Sequence, residues 1–472
     1  MNKSMIRYLL SKLLLIEAVL LLVPVSVALY YRESSQVFTA LFSTIGILVL
    51  LGGSGILQKP KNQRIYAKEG VLIVALCWIL WSFFGGLPFV FAKQIPSVID
   101  AFFEISSGFT TTGATILNDV SVLSRSLLFW RSFTHLIGGM GVLVFALAIM
   151  DNAKNSHLEV MKAEVPGPVF GKVVSKLKNT AQIYLALFSL FVIIYYLAGM
   201  PLFDSFVIAM GTAGTGGFTV YNDGIAHYGS SLITYLVSIG VLVFGVNFNL
   251  YYYLMLRRVK AFFGDEELRA YLVIVLLSTG LISLNLYPGF SKSFEMAFFQ
   301  VSNIITTTGF GYGDITNWPL FSQFILLFLM GIGGSAGSTA GGLKVIRGLI
   351  LSKIAKNQIL SILSPHRVLT LHVNKTVIDK DTQHKILKYF VIYSMILLSL
   401  IFIVSLDSND FLVVTSAVFS CFNNIGPILG TTSSFSIFSP ISKILLSFAM
   451  IAGRLEIYPI LLLFMKRTWS KR

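Results

Sequence analysis

The stretch Asn303 to Asp314, NIITTTGFGYGD, recurs in weaker form as SSGFTTTGA (Ser106 to Ala114), GTGGFT (Gly214 to Thr219) and FNNIGPI (Phe422 to Ile428). Each copy lies between two long apolar spans, and four such loops in one chain point to a single pore with four walls. Glycine lets the backbone turn its carbonyl oxygens inward, where they can replace an ion's water shell. With Gly113, Gly217, Gly309 and Gly426 taken as equivalent, the residue eleven positions earlier is Phe102, Phe206 and Phe298 in three units and Thr415 in the fourth. About a dozen mixed apolar residues precede each loop, too few to cross a hydrocarbon core of ~30 Å and enough for a half-crossing helix. Such a helix aims its partially negative C-terminus at the loop and favours a cation there.

The chain of 472 residues is 55% hydrophobic and 12% charged, whereas soluble domains carry about 25% charged residues. It reads as an all-α polytopic membrane protein: two N-terminal transmembrane helices plus four helix–pore loop–helix repeats around one central pore. Cys77 and Cys421, the two cysteines, sit far apart in apolar sequence and read as buried thiols, with no disulfide framework or metal motif. Lys3, Arg7 and Lys12 followed by an apolar run could mark a signal peptide, with Ser26-Val27-Ala28 as a weak cleavage-like site. The run continues from Leu13 to about Tyr30, longer than a signal core, and a second span follows at once, so it is read as a retained helix.

The expected spans are Leu9 to Tyr31 and Val37 to Leu57, then Gly70 to Ala92 with Leu127 to Met150, Ala181 to Ala198 with Leu232 to Leu256, Tyr271 to Leu286 with Phe321 to Ile354, and Tyr389 to Leu406 with Ile441 to Met465. That makes ten crossings. Half-helices are expected at about Pro96 to Ser107, after Pro201, from Ser291 and from Asn409. The chain divides into an N-terminal extension (1-68) and repeats over 69-178, 179-267, 268-375, which carries a broken second helix, and 376-472. Of the 36 Lys and Arg, 29 fall in segments on one side, leaving Arg32, Lys93, Arg125 and Lys292 on the other and Arg131, Lys443 and Arg454 within spans. The basic side is expected to be cytoplasmic, with both termini on that side and the four loops opening outward. The net charge of +15 is thereby explained without nucleic acid. No soluble domain is visible, so a separate cytosolic regulator is expected to dock on the basic loops Lys154 to Lys178 and Lys353 to Lys388.

Three groups of residues carry the chemistry. The four walls are Thr110-Thr111-Thr112-Gly113, Gly214-Thr215-Gly216-Gly217, Thr306-Thr307-Thr308-Gly309 and Asn423-Asn424-Ile425-Gly426, the expected sites of a cation filter. Small-residue helix packing is the bland alternative; it suits Gly138, Gly139 and Gly141 but predicts neither fourfold repetition nor half-helices. The second group is Gly331 to Gly342, with six glycines in twelve positions. Inside a helix from Phe321 to Ile354, which would be about 50 Å long, it marks a break at Gly333, Gly334, Ser335, Ala336, Gly337, Ser338, Thr339, Ala340, Gly341 and Gly342, of which a packing kink is the bland reading. The third is Arg454, about midway along the last span, with Glu456 close by: either members of buried pairs that hold the bundle, or a barrier in the ion path.

Gly311-Tyr312-Gly313-Asp314 matches the GxGD signature of intramembrane aspartyl proteases, but the ten spans contain no aspartate and Asp314 falls at the outer mouth. GSTAGGLK lacks the Gly-Lys-Ser/Thr of a Walker A loop. A cation symporter driven by protons or sodium is the alternative to gated conduction.

The TTTGA and TTTGFGYGD loops, KAEVPGPV (Lys162 to Val169), GGSAGSTAGGLKVIR (Gly333 to Arg347) and AGRLEIYP (Ala452 to Pro459) together resemble the bacterial Trk potassium-uptake membrane subunits of the Trk/Ktr/HKT superfamily. The resemblance runs from the first apolar span to the C-terminus, and the two extra N-terminal spans favour the Trk branch. It implies potassium as the transported ion and no organic cofactor. It also implies an intramembrane loop obstructing the pore below the filter, and a homodimer with one pore per subunit beside a TrkA-like cytosolic ring that binds nucleotides. In the superfamily a serine at the first wall's key glycine goes with sodium permeation; Gly113 therefore argues for potassium.

Overall fold

A computed structural model describes residues 1–62, 66–141, 173–286, 290–313, 315, 317–364, 369–430 and 434–469. The first crossing is two helices in near-continuous succession, Lys3–Leu20 and Leu22–Tyr30, and Ser35–Ile56 returns antiparallel to it. Small residues set their approach: a Cβ at Gly52 would press on Leu15, and one at Gly55 would overlap the Ser11 hydroxyl. In lipid, where apolar burial gives no net drive between helices, such close packing supplies the attraction. The Trp81 indole N–H donates to the Leu13 carbonyl at 3.1 Å and fastens this extension to the first repeat.

Each repeat opens with a long helix: Ala67–Phe91, Val173–Leu197, Glu266–Asn285 and Lys380–Val404. These expose side chains such as Leu276 and Phe402, 67% and 77% accessible, as lipid-facing positions do. Half-helices follow at Val98–Phe109, Leu202–Gly214, Phe290–Ile305 and Phe411–Asn423, 12, 13, 16 and 13 residues long, or about 18–24 Å at 1.5 Å per residue. Side-chain caps start two of them, Ser97 on the Asp100 N–H and Asp410 on the Leu412 and Val413 N–H groups. The half-helices form the centre, with Phe103, Val207, Phe299 and Val418 fully buried.

The return segments depart from the expected crossings. Among the described residues six helices, with Lys3–Tyr30 counted as one, are long and apolar enough to cross a membrane, and a seventh crossing arises if Ser231–Phe244 and Phe248–Met255, bent by 93°, count as one. The segment expected as one span from Leu232 to Leu256 is thus broken at Gly245–Asn247, where the Asn247 carboxamide accepts from the Asn249 N–H at 3.0 Å and starts a new helix. In the third repeat Leu320–Ile332 ends at Gly333 and Val345–Leu363 resumes, running past the expected end at Ile354. The last segment, expected as one span from Ile441 to Met465, breaks between Pro440–Arg454 and Tyr458–Phe464. Glu456 and Ile457 are left-handed there, φ +55° and +71°, held by the Ile457 N–H donating to the Ala452 carbonyl at 2.7 Å. In the first repeat the return helix is Arg125–Gly139. The rest of the Leu127 to Met150 span, the Lys162 to Val169 segment and most of the Lys154 to Lys178 loop lie outside the described residues.

Candidate functional site

Each wall begins where a half-helix ends. The Thr110 and Thr306 hydroxyls donate to the carbonyls of Ser106 and Ser302, both at 2.6 Å, closing the last helical turn. Each also pairs with the hydroxyl two residues on, Thr112 at 2.7 Å and Thr308 at 2.8 Å. At the second position of every wall the backbone is left-handed: Thr111, Thr215, Thr307 and Asn424 have φ of +56°, +54°, +56° and +58°. The key glycines are left-handed too, Gly113, Gly217, Gly309 and Gly426 at +81°, +76°, +70° and +110°. Alternating the hand of successive residues turns successive carbonyls to one side, the arrangement that lines an ion path with oxygen.

The four walls close a ring. A Cβ on Gly113 would collide with the Gly216 carbonyl, one on Gly217 with the Thr308 carbonyl, one on Gly309 with the Ile425 carbonyl, and one on Gly426 with the Thr112 carbonyl. Each wall thus presses on the next, and the fourth returns to the first. All four tetrads identified in the sequence meet in this ring. The fourth compensates for its missing threonines: Asn423 accepts from the Tyr393 hydroxyl at 2.9 Å, and the Asn424 amide donates to Thr112 Oγ1 at 3.0 Å and to the Met450 carbonyl at 2.8 Å.

Beyond the glycines the loops continue to interlock. The Phe435 N–H donates to the Thr115 carbonyl and the Ile225 N–H to the Gly311 carbonyl, both at 2.9 Å. The Asn222 side chain accepts from the Val120 N–H and donates to Asp119, both at 2.8 Å. Its amide, with the N–H and hydroxyl of Ser121, holds the exposed Asp119 carboxyl below its ordinary value, so that carboxyl stays negatively charged. Asp314 lies outside the described residues.

Behind the first wall stands an ion pair that sequence reading left unassigned. Arg131 Nε donates to Glu104 at 2.6 Å, and both side chains are buried. Glu104 also accepts from the Thr115 hydroxyl at 2.9 Å and the Ile116 N–H at 3.0 Å, so it grips the chain just after Gly113. The available signal was two ionisable residues within membrane segments, which are retained there only when paired or functional.

On the opposite side of the ring from its glycines lies the Gly-rich loop. Residues 333–344 are nonhelical between Ile332 and Val345. The Gly341 N–H donates to Thr307 Oγ1 at 2.6 Å, and a Cβ at Gly341 would collide with the Asn423 carbonyl. The loop is pinned into the break of the second repeat: the Ser335 N–H donates to the Gly245 carbonyl and the Phe248 N–H to the Gly337 carbonyl, both at 3.0 Å. Glu267 accepts from the Ala336 N–H at 2.7 Å and the Ile346 N–H at 3.1 Å. Each break therefore satisfies polar groups exposed by another, as irregular backbone at membrane depth requires.

Arg454 does not lie midway along an unbroken helix; it ends Pro440–Arg454. Its guanidinium donates to the Thr339 carbonyl at 2.6 Å and to the Gly138 carbonyl at 2.7 Å, joining the Gly-rich loop to the return helix of the first repeat. Glu456, close in sequence, pairs instead with Arg347 at 2.5 Å. Loop, arginine and ring thus form one connected assembly.

A family model described as TrkH, cation transport protein, matches residues 34–471. The chain is 32% identical to the Trk system potassium uptake protein TrkG of Escherichia coli K12, covering 95% of both chains. It is also 32% identical to the Trk system potassium uptake protein TrkH of Salmonella typhimurium, covering 96% of both. The crystal structure of the potassium transporter TrkH from Vibrio parahaemolyticus superimposes with a TM-score of 0.90 at 30% identity, over 100% of each chain. Matched by that family model over nearly its whole length and 32% identical to these relatives, the chain belongs to the TrkH family of cation transport proteins.

Proposed function

We propose that this chain is the membrane subunit of a potassium-uptake system, passing dehydrated potassium ions inward through the ring, with the loop of residues 333–342 and Arg454 as the gate below it. The observation that carries this reading is the closed ring itself, in which four walls bring left-handed backbone to equivalent positions. Carbonyl oxygens facing one axis replace the water shell of a large monovalent cation. Support for potassium comes from the names of the relatives and from Gly113 in the first wall. Potassium is the cargo, and no organic cofactor is assigned to this chain. No enzymatic step is assigned either, since the relatives are named as transporters. The distribution of Lys and Arg supports cytoplasmic termini in a bacterial inner membrane.

The test is ion flux in liposomes. Potassium and rubidium are expected to permeate well and sodium and lithium poorly, and flux without an imposed proton or sodium gradient separates conduction from symport. Gly113→Ser is expected to raise sodium flux severalfold, because its Cβ would push the Gly216 carbonyl outward in a wall with two further glycines to absorb the movement. Equal potassium and sodium fluxes through the unaltered protein would remove the selectivity reading.

The finer assembly also belongs to this proposal: a homodimer with one pore per subunit, docked through basic cytoplasmic loops on a TrkA-like nucleotide-binding regulator. Deleting candidate regulatory subunits from cells is expected to change potassium uptake through this protein, measured as rubidium influx. Uptake unchanged after deletion of all of them would exclude that partner.

A further inference from the structure

The second wall lacks what stiffens the first and third. Where those have Thr110 with Thr112 and Thr306 with Thr308, their hydroxyls paired at 2.7 and 2.8 Å, the second has Gly214 and Gly216. Glycine at 216 is not demanded by the backbone, since its φ, unlike that of Gly217, lies outside the left-handed range. It is demanded by a neighbour. A Cβ on Gly216 would overlap the imidazole of His135, at ring atoms Cγ, Nδ1 and Cδ2.

His135 comes from the return helix of the first repeat and is completely buried. Its Nδ1 lies 2.8 Å from the Gly108 carbonyl; a carbonyl only accepts, so Nδ1 carries the proton. Gly108 belongs to the half-helix that ends in the first wall. Phe218, next after the second wall's key glycine, lies against the imidazole with ring centroids 4.2 Å apart. The Arg131 guanidinium covers the Phe218 ring at 3.5 Å, and Arg131 is held by Glu104. Nε2 of His135 has no hydrogen-bond partner among the described residues, so toward the second wall the ring contributes shape.

We propose that His135 is a specificity-determining positioning residue: its ring stands in for the threonine side chains missing from the second wall and sets the spacing between the first two walls. The proposal rests on the reading of the ring as a potassium filter. Without the imidazole, three glycines in a row of four residues are free to move, and a ring free to contract around a smaller ion loses its preference for potassium.

The experiment measures potassium-over-sodium permeability in liposomes for the wild type, His135→Ala, His135→Asn, Gly216→Ala and the double variant His135→Ala/Gly216→Ala, each normalised to monodisperse protein. His135→Ala is expected to lower the ratio about tenfold, equivalent to about 1.4 kcal/mol of discrimination, with sodium flux rising. His135→Asn keeps an amide donor near Nδ1 and an atom at Cγ, and is expected to retain most of the preference. Gly216→Ala alone disturbs the wall by colliding with the ring. In the double variant the alanine Cβ occupies the vacated space, and the ratio recovers toward wild type. A folded His135→Ala with an unchanged ratio, or a double variant no more selective than either single one, overturns the proposal. Should His135→Ala yield no folded protein, the double variant decides: recovery of folded, potassium-preferring protein supports the role, and failure to recover either property refutes it. A wild type without potassium preference would instead tell against the proposed function itself.

Discussion

Arg454→Ala is expected to raise potassium flux per folded subunit by roughly tenfold while leaving the preference for potassium over sodium largely intact. Two effects act in the same direction. At an effective dielectric of ~20, two unit positive charges ~10 Å apart repel by about 1.7 kcal/mol, so losing even part of such a repulsion accounts for much of a tenfold change in rate. The guanidinium also tethers the gate, donating to the Thr339 carbonyl at 2.6 Å and to Gly138 at 2.7 Å, so its loss frees the loop on one side. Arg454→Lys keeps the charge and gives up the two-pronged bond, and is expected to fall between wild type and alanine. Deleting Gly337 to Gly341 removes the contact of Gly341 with Thr307 and the bond between Gly337 and Phe248, and is expected to raise flux further and weaken dependence on a regulatory partner. Rubidium uptake into liposomes, normalised to folded protein, gives the answer. A well-folded Arg454→Ala with unchanged or lower flux would show that the arginine only joins the repeats.

Gly309→Ala is expected to reduce potassium conduction by about a hundredfold or more. The left-handed φ of +70° costs a residue with a Cβ about 1–2 kcal/mol. The Cβ would also collide with the Ile425 carbonyl and with Cδ of Pro427. At Gly113 the obstructed neighbour is a glycine-rich wall that can move aside; at Gly309 it is a wall stiffened by proline, whose ring fixes φ. The strain therefore falls on the ring geometry, and the expected result is blocked conduction rather than relaxed selectivity. Near-normal rubidium flux through folded Gly309→Ala protein would contradict the role of this glycine in the ring.

The sequence by itself determined the class of fold, the positions of the four walls and the first helix of each repeat. These properties are local. A run of apolar residues long enough to cross hydrocarbon has no other stable place, and a left-handed turn at membrane depth calls for glycine where its neighbours crowd it. It also marked the break at residues 333–342, because six glycines cannot be reconciled with a 50 Å helix. Only the tertiary structure decided that the return segments of the second and fourth repeats break as well. Apolar residues flank Gly245–Asn247 and Leu455–Ile457 on both sides, and those breaks are stabilised by partners distant in sequence: the Gly245 carbonyl by Ser335, and the neighbourhood of the last break by Arg347 on Glu456. The same holds for Glu104 with Arg131, for His135 against Gly216, and for Arg454 reaching both Thr339 and Gly138. Each of these joins two repeats or two segments of one repeat, and which surfaces meet is set by how the four units pack together, a relation that no local pattern of residues encodes.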